Sequence, residues 1–258
     1  MEYRVNKYTT RHAQQPIIAN LTFKAALIDM DGVLYDSMKY HTQAWKRLAD
    51  ELNIPATEEE FYLYEGMTGT GIINMLYNRT FGKGVDDAEA KRLYEIKARY
   101  FLEIGNVETM PHADRMLNTL KDAGLKCVLV TGSGQASILE RVSNDYPDIF
   151  DEDKRVTAHD VKNGKPHPEP YLQGMAKVGC VAEQCIVIEN APLGIQAGKA
   201  AGCFVIGITT GPIPRDKMFE AGADLVFDSM EQFADALPEL LKNSHFSFET
   251  SLSQWHKI

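Results

Sequence analysis

The 258-residue sequence has no apolar run approaching the ~20 residues of a membrane span, no CxxC pair among its four cysteines, only two tryptophans, and no cluster of lysine and arginine. The shortages other than that of tryptophan each remove a class of function. Without a long apolar run the chain is expected neither to cross nor to anchor to a bilayer. Without clustered cations it has no footprint for a phosphate backbone, and a formal net charge of -9 argues further against a nucleic-acid partner. Cys127, Cys180, Cys185 and Cys203 offer no metal spacing; Cys127 and Cys203 lie beside apolar stretches, where cysteine packs as a small hydrophobe, so a reducing cytoplasm is expected. The first 22 residues are polar with scattered Arg4, Lys7 and Arg11, and they lack the continuous apolar segment of a secretory signal. They read as an extension. No internal repeat or low-complexity tract is present. What remains, 44% hydrophobic and 24% charged residues, describes a soluble globular chain large enough to bury a full core.

Short apolar runs bounded by turn residues alternate with amphipathic segments, the pattern of a parallel sheet wrapped by helices. The expected strands are Lys24 to Ile28, Lys126 to Val130, Gln184 to Ile188, Phe204 to Ile208 and Asp224 to Phe227. Between them helices are expected at Ala113 to Ala123, Gln135 to Asn144, Pro168 to Val178, Leu193 to Ala201 and Met230 to Lys242, several closed by Gly124, Gly179 or Gly202. From Ser37 to about Asn106 no buried strand is apparent, only helical periodicity in Tyr40 to Leu52, Thr57 to Tyr64, Ile72 to Arg79 and Ala88 to Ile104. The expected fold class is therefore α/β, a doubly wound parallel sheet with an inserted all-helical cap. Its organisation reads as an extension (1–22), a core (23–36 and 107–243), a cap (37–106) and a polar tail (244–258).

In an open parallel sheet ligands bind beyond the carboxyl ends of the strands, so the residues that follow each apolar run matter most. The first run stops at Asp29-Met30-Asp31-Gly32, with two carboxylates two residues apart. The run ending at Val130 continues as Thr131-Gly132-Ser133-Gly134, a hydroxyl followed by backbone N–H groups able to hold an anion at a helix start. The run Cys185 to Ile188 ends in Glu189-Asn190, and Lys165 stands before Pro166 ahead of a helix. Each of these alone reads as a turn, a cap or a solvated lysine. Together they fall at successive strand ends of one sheet, where the fold gathers them into one crevice.

Taken in order, Asp29-Met30-Asp31-Gly32-Val33-Leu34-Tyr35-Asp36-Ser37, Val130-Thr131-Gly132-Ser133, Gly164-Lys165-Pro166-His167-Pro168 and Ile188-Glu189-Asn190-Ala191-Pro192 resemble the four motifs of the haloacid dehalogenase (HAD) superfamily. More narrowly they resemble its β-phosphoglucomutase-like subgroup, in which a helical cap interrupts the chain after the first motif. The resemblance spans roughly Lys24 to Phe227. It implies Asp29 as a nucleophile forming an aspartyl-phosphate and Asp31 as acid and then base. It also implies that Thr131, Gly132, Ser133 and Lys165 hold the phosphate oxygens. The implied cofactor is Mg2+, on Asp29, Asp31 and an oxygen of Glu189 or Asn190. One departure is plain: Asn190 stands where a second acid is usual, which removes a negative charge.

The cap is expected to set specificity. Mutase-like members of the subgroup place a cation before the cap-loop glycine and an arginine after it. This chain reads Tyr64-Glu65-Gly66-Met67-Thr68-Gly69, with Glu65 and Gly69 at those positions, and so resembles the subgroup's inorganic-pyrophosphatase-like members. His41, just past the first motif, matches a residue that points into the active site of relatives. Trp45 reads as cap core. The implied activity is Mg2+-dependent hydrolysis of a small phosphorylated metabolite or pyrophosphate, by a monomer. The alternatives are a β-phosphoglucomutase-like phosphotransferase and a catalytically silent phosphate binder.

Overall fold

The computed structural model describes residues 22–242 and, outside them, the backbone of a short strand near each terminus. The extension expected over 1–22 and the tail over 244–258 thus lie almost wholly outside the described residues. After β1 (Ile18–Ala19) the chain forms β2 (Ala25–Ile28), β3 (Lys126–Val130), β4 (Arg155–Val156), β5 (Cys185–Glu189), β6 (Phe204–Ile208) and β7 (Leu225–Phe227). These last six make one sheet, parallel throughout, in the order β4-β3-β2-β5-β6-β7. A final strand, β8 (His245–Phe246), pairs antiparallel with β1.

The strands read as unbroken apolar runs because both sheet faces are covered. Leu27, Val128, Val187 and Val205 pack on one side with Tyr171 and Met175 of α7 (Glu169–Val178), Ile195 of α8 (Pro192–Ala200) and Met218 of α9 (Arg215–Ala221). Ile28, Leu129, Ile188 and Ile206 pack on the other with Met116 and Leu120 of α5 (Ala113–Asp122) and Phe233 and Leu237 of α10 (Met230–Lys242). Helix α6 (Ala136–Asp145) follows β3. The four cysteines are free thiols.

Besides the two-residue strands β1 and β8, the sequence reading does not anticipate β4 and α9. Strand β4 is a two-residue edge strand whose Arg155 guanidinium donates to the carbonyls of Phe150 (2.7 Å) and Leu139 (3.1 Å), so a charged residue stands where an apolar run was sought. Helix α9 spans seven residues, too few for a periodicity to show.

Between β2 and α5 the chain forms four helices, α1 (Met38–Glu51), α2 (Glu58–Leu63), α3 (Gly69–Phe81) and α4 (Asp87–Ile104), and no strand beyond single bridges that pair Tyr35 with Asp31 and Thr109. Helix α3 starts three residues before the expected Ile72 because Thr68 caps it, its hydroxyl accepting from the Gly71 N–H at 3.2 Å. The two passages between core and cap run side by side, Asp36 N–H donating to the Glu108 carbonyl and Met110 N–H to that of Leu34. Within the described residues no helix is long and apolar enough to cross a membrane.

Candidate active site

The chain runs from β2 outward through β3 to β4, then returns to the other side of β2 as β5. That reversal opens a crevice at the carboxyl ends of β2 and β5, the position where doubly wound sheets bind ligands. Asp29 follows β2 there, and Glu189 and Asn190 close β5 beside it. All three side chains are buried.

Lys165 ties the crevice together. Its ammonium, 2% exposed, donates to Asp29 Oδ1 at 2.5 Å, Glu189 Oε1 at 2.6 Å and the Val130 carbonyl at 3.0 Å. Burial alone would push its pKa down; the two carboxylates outweigh burial and raise it. Glu189 is held on every side, because Oε1 also accepts from the Tyr171 hydroxyl at 2.6 Å while Oε2 accepts from the N–H groups of Asn190 and Ala191. Both of its oxygens are in use. The Oδ1 of Asn190, by contrast, is buried without a partner.

Tyr171→Phe removes one of these donors from a fully buried carboxylate. It is expected to lower stability by about 1–3 kcal/mol, read as a shift of the denaturation midpoint at constant slope.

Asp31 is fastened separately. Its Oδ1 accepts from Ser37 Oγ at 2.5 Å and lies 3.1 Å from His41 Nε2, while His41 Nδ1 meets the buried ammonium of Lys97. With Lys97 as an ammonium, Nδ1 accepts from it and Nε2 carries the proton that points at Asp31. Burial opposes the Asp31 charge, yet His41, Ser37 and Lys97 together lower its pKa. Burial also pushes Lys97 down to about 7 and His41 below its usual value. Phe101 stacks on the His41 ring at 4.1 Å, fixing its plane.

The cap closes over this floor through its loop 64–69. Glu65 is buried and accepts from Asn190 Nδ2 at 3.1 Å. Backbone meets backbone at the seam, since a Cβ added to Gly132 would stand 2.7 Å from the Gly66 carbonyl oxygen. Thr131 is buried at the end of β3 and accepts from the Ser133 N–H, which curls the chain into this contact. The cavity left inside holds about 50 Å³, enough for a few waters at roughly 10–15 Å³ each. Asp29, Asp31, Gly132 and Ser133 line its floor; His41, Trp45, Glu65, Tyr94 and Lys97 line the walls.

All eleven residues singled out from the sequence, Trp45 included, thus fall within one region of the molecule, although the cavity wall itself omits Thr131, Lys165, Glu189 and Asn190. Ser37, Tyr94, Lys97 and Tyr171 were not anticipated as parts of it. Lys97 carried a legible signal: it stands with Ala90, Leu93 and Phe101 on the buried stripe of α4, where a lysine needs a reason.

The electrostatics are unbalanced. Four carboxylates (Asp29, Asp31, Glu65 and Glu189) surround Lys165 and the weakly basic Lys97. Burial, with Glu189 and Asp31 nearby, pushes Asp29 up to about 8 despite Lys165. Burial and the charges of Asp29 and Asp31 raise Glu65 well above the carboxylate range. A site with this excess of buried negative charge suits a cation. Among the described residues no cluster of three or more His, Cys, Asp or Glu side chains stands where it could hold a metal ion.

The family model for haloacid dehalogenase-like hydrolases matches residues 26–208. The chain belongs to this family of enzymes, and within it to the β-phosphoglucomutase-like subgroup. It is 33% identical to hexitol phosphatase A of Escherichia coli (strain K12) over 81% of this chain and 92% of that one. It is 31% identical to the beta-phosphoglucomutase of Bacillus subtilis (strain 168), over 84% and 93% respectively. A Bacteroides vulgatus structure provisionally named as a beta-phosphoglucomutase superposes with a TM-score of 0.83 at 40% identity, covering 88% of this chain and 92% of that one.

Proposed function

We propose that this enzyme is a Mg2+-dependent phosphohydrolase that works through an aspartyl-phosphate on Asp29, acting on a small phosphorylated metabolite or inorganic pyrophosphate. The observation that carries the reading is the convergence on one crevice of Asp29, held by Lys165, and Asp31, held by Ser37 and His41. Asp29 attacks phosphorus. Asp31 protonates the departing oxygen and then takes a proton from water, with His41 and Ser37 fixing its orientation. Thr131, the backbone at Gly132 and Ser133, and Lys165 receive the phosphoryl oxygens.

The residues fit a divalent cation. Asp29, the Asp31 carbonyl and the unpartnered Asn190 Oδ1 would hold it, and bound there it supplies positive charge to the phosphoryl oxygens. Glu189, with both oxygens engaged, serves to hold Lys165 in place. Asn190 leaves the core one acid short, and Glu65 brings a carboxylate from the cap to the same spot, within reach of a hydrated Mg2+ carried by pyrophosphate. Asn190→Asp restores the missing charge and is expected to tighten Mg2+ binding by about ten-fold or more, read by calorimetry.

The names of the relatives favour phosphorylated carbohydrates as substrates and keep a phosphomutase in view. Glu65 speaks against the latter, since a carboxylate there repels a second phosphate. A phosphate-release screen over pyrophosphate, polyol and sugar phosphates, with and without Mg2+, tests the reading. Phosphate release only with Mg2+ supports it; interconversion of glucose 1- and 6-phosphate in place of release overturns it.

A further inference from the structure

Helix α6 meets both passages between core and cap. Arg141 donates through Nη1 to the Val107 carbonyl on the returning passage. Asp145, one turn further along, accepts from the Tyr35 hydroxyl on the outgoing passage at 3.1 Å, and Tyr146, just past the helix, donates its hydroxyl to the Leu34 carbonyl at 2.7 Å. A bond of 2.8 Å from Arg141 Nε to Asp145 Oδ2 joins the two sides of this clamp, and the guanidinium lies over the Tyr35 ring at 5.2 Å. Helix stability does not explain the pair: it is part-exposed, and its cation precedes its anion by four residues, the less favourable order on a helix.

What both partners reach is the stretch of chain that carries Asp31. Tyr35 is fully buried, and its backbone closes the Asp31 turn: its N–H donates to the Met30 carbonyl at 3.1 Å, and its carbonyl accepts from the Gly32 N–H at 2.7 Å. It also forms a bridge with Thr109 of the returning passage. Two residues on, Ser37 donates to Asp31 Oδ1. A shift of the Tyr35 ring is therefore a shift of the Asp31 turn. Asp29 does not share this support, since it follows β2 directly and is held by Lys165.

From this juxtaposition we infer that Arg141 is a positioning residue for Asp31: by clamping both hinge passages to α6 it fixes the turn from which that carboxyl meets the leaving oxygen. The inference rests on the hydrolase reading above and extends it to residues outside the cavity, since neither Arg141 nor Tyr35 lines the cavity wall. Hinge positions of this kind act on the chemistry from a distance. Loosening the clamp leaves the attack by Asp29 in place and impairs the proton transfer by Asp31.

The test compares two substrates at saturating Mg2+. One is the phosphate ester or pyrophosphate hydrolysed fastest in the screen above, whose leaving oxygen needs a proton; the other is acetyl phosphate, whose acetate leaves without one. Arg141→Met is expected to lower kcat/KM for the first about ten-fold and for acetyl phosphate less than about three-fold, so their ratio falls. Arg141→Lys replaces the planar fork by a point charge that serves one partner at a time, and its ratio is expected to lie between those of wild type and Arg141→Met. Tyr35→Phe removes the hydroxyl and lowers the ratio by about three-fold, and in the double variant with Arg141→Met it adds less than this, because both act through one clamp. If Arg141→Met does not fold, Tyr35→Phe carries the test. A folded variant with the wild-type ratio overturns the inference, as does an equal loss on both substrates or a wild type that hydrolyses acetyl phosphate alone. A wild type that releases phosphate from neither substrate overturns the hydrolase reading itself.

Discussion

Asp29→Asn is expected to abolish phosphate release, lowering kcat by about 10⁴-fold or more, while Mg2+ binding persists. The amide keeps an oxygen for a cation and nearly the shape of the carboxylate, but it cannot attack phosphorus. Lys165 keeps its bond to Glu189, so the crevice loses one contact rather than its framework. Quenched wild-type reactions with labelled substrate should carry label on the protein, and Asp29→Asn reactions should carry none. Equal turnover in the two proteins would falsify the role given to Asp29. Retained turnover in a variant that no longer binds Mg2+ would remove the cation from the scheme.

Lys165→Met is expected to act on stability as well as on rate. The substitution keeps the stem but leaves Asp29 and Glu189 facing each other, both buried, without the ammonium that now lies 2.5 and 2.6 Å from them. Stripping one partner from a buried ion network costs about 3–5 kcal/mol. For a chain of this size that is a fall in Tm on the order of 10 °C. The loss has a definite dependence on pH. Burial, opposed by Lys165, already raises Asp29 from 3.8 to about 8. Between those values the native protein holds a proton that the unfolded chain releases, so this group makes stability fall as pH rises from about 4 to 8. Without Lys165 the Asp29 pKa rises further and the fall continues above pH 8, so the deficit against wild type should be larger at pH 9 than at pH 5. A deficit independent of pH would show that Lys165 matters for packing alone.

How much of this was legible beforehand depends on the range of the interaction. The apolar runs of β2, β3, β5 and β6 are visible because every residue of a strand covered on both faces must be apolar. Asp29, Asp31, Thr131 and Lys165 are visible because each stands at the end or entrance of such an element, where a polar residue is conspicuous. Lys97 is harder to see: it sits inside α4, and its meaning comes from His41, more than twenty residues away in the chain. Tyr171 is similar, an aromatic on a buried helical face whose hydroxyl matters only because Glu189 lies across from it.

The sequence by itself determined the class of fold, the family, and which side chains stand at the carboxyl ends of the strands, because these follow from local pattern and order along the chain. Tertiary structure alone decided the pairings: Glu65 with Asn190, Tyr171 with Glu189, Lys97 with His41. Those contacts join cap to core, helix to strand or helix to helix, and their energies depend on burial and on charges brought together by folding, which no local pattern records.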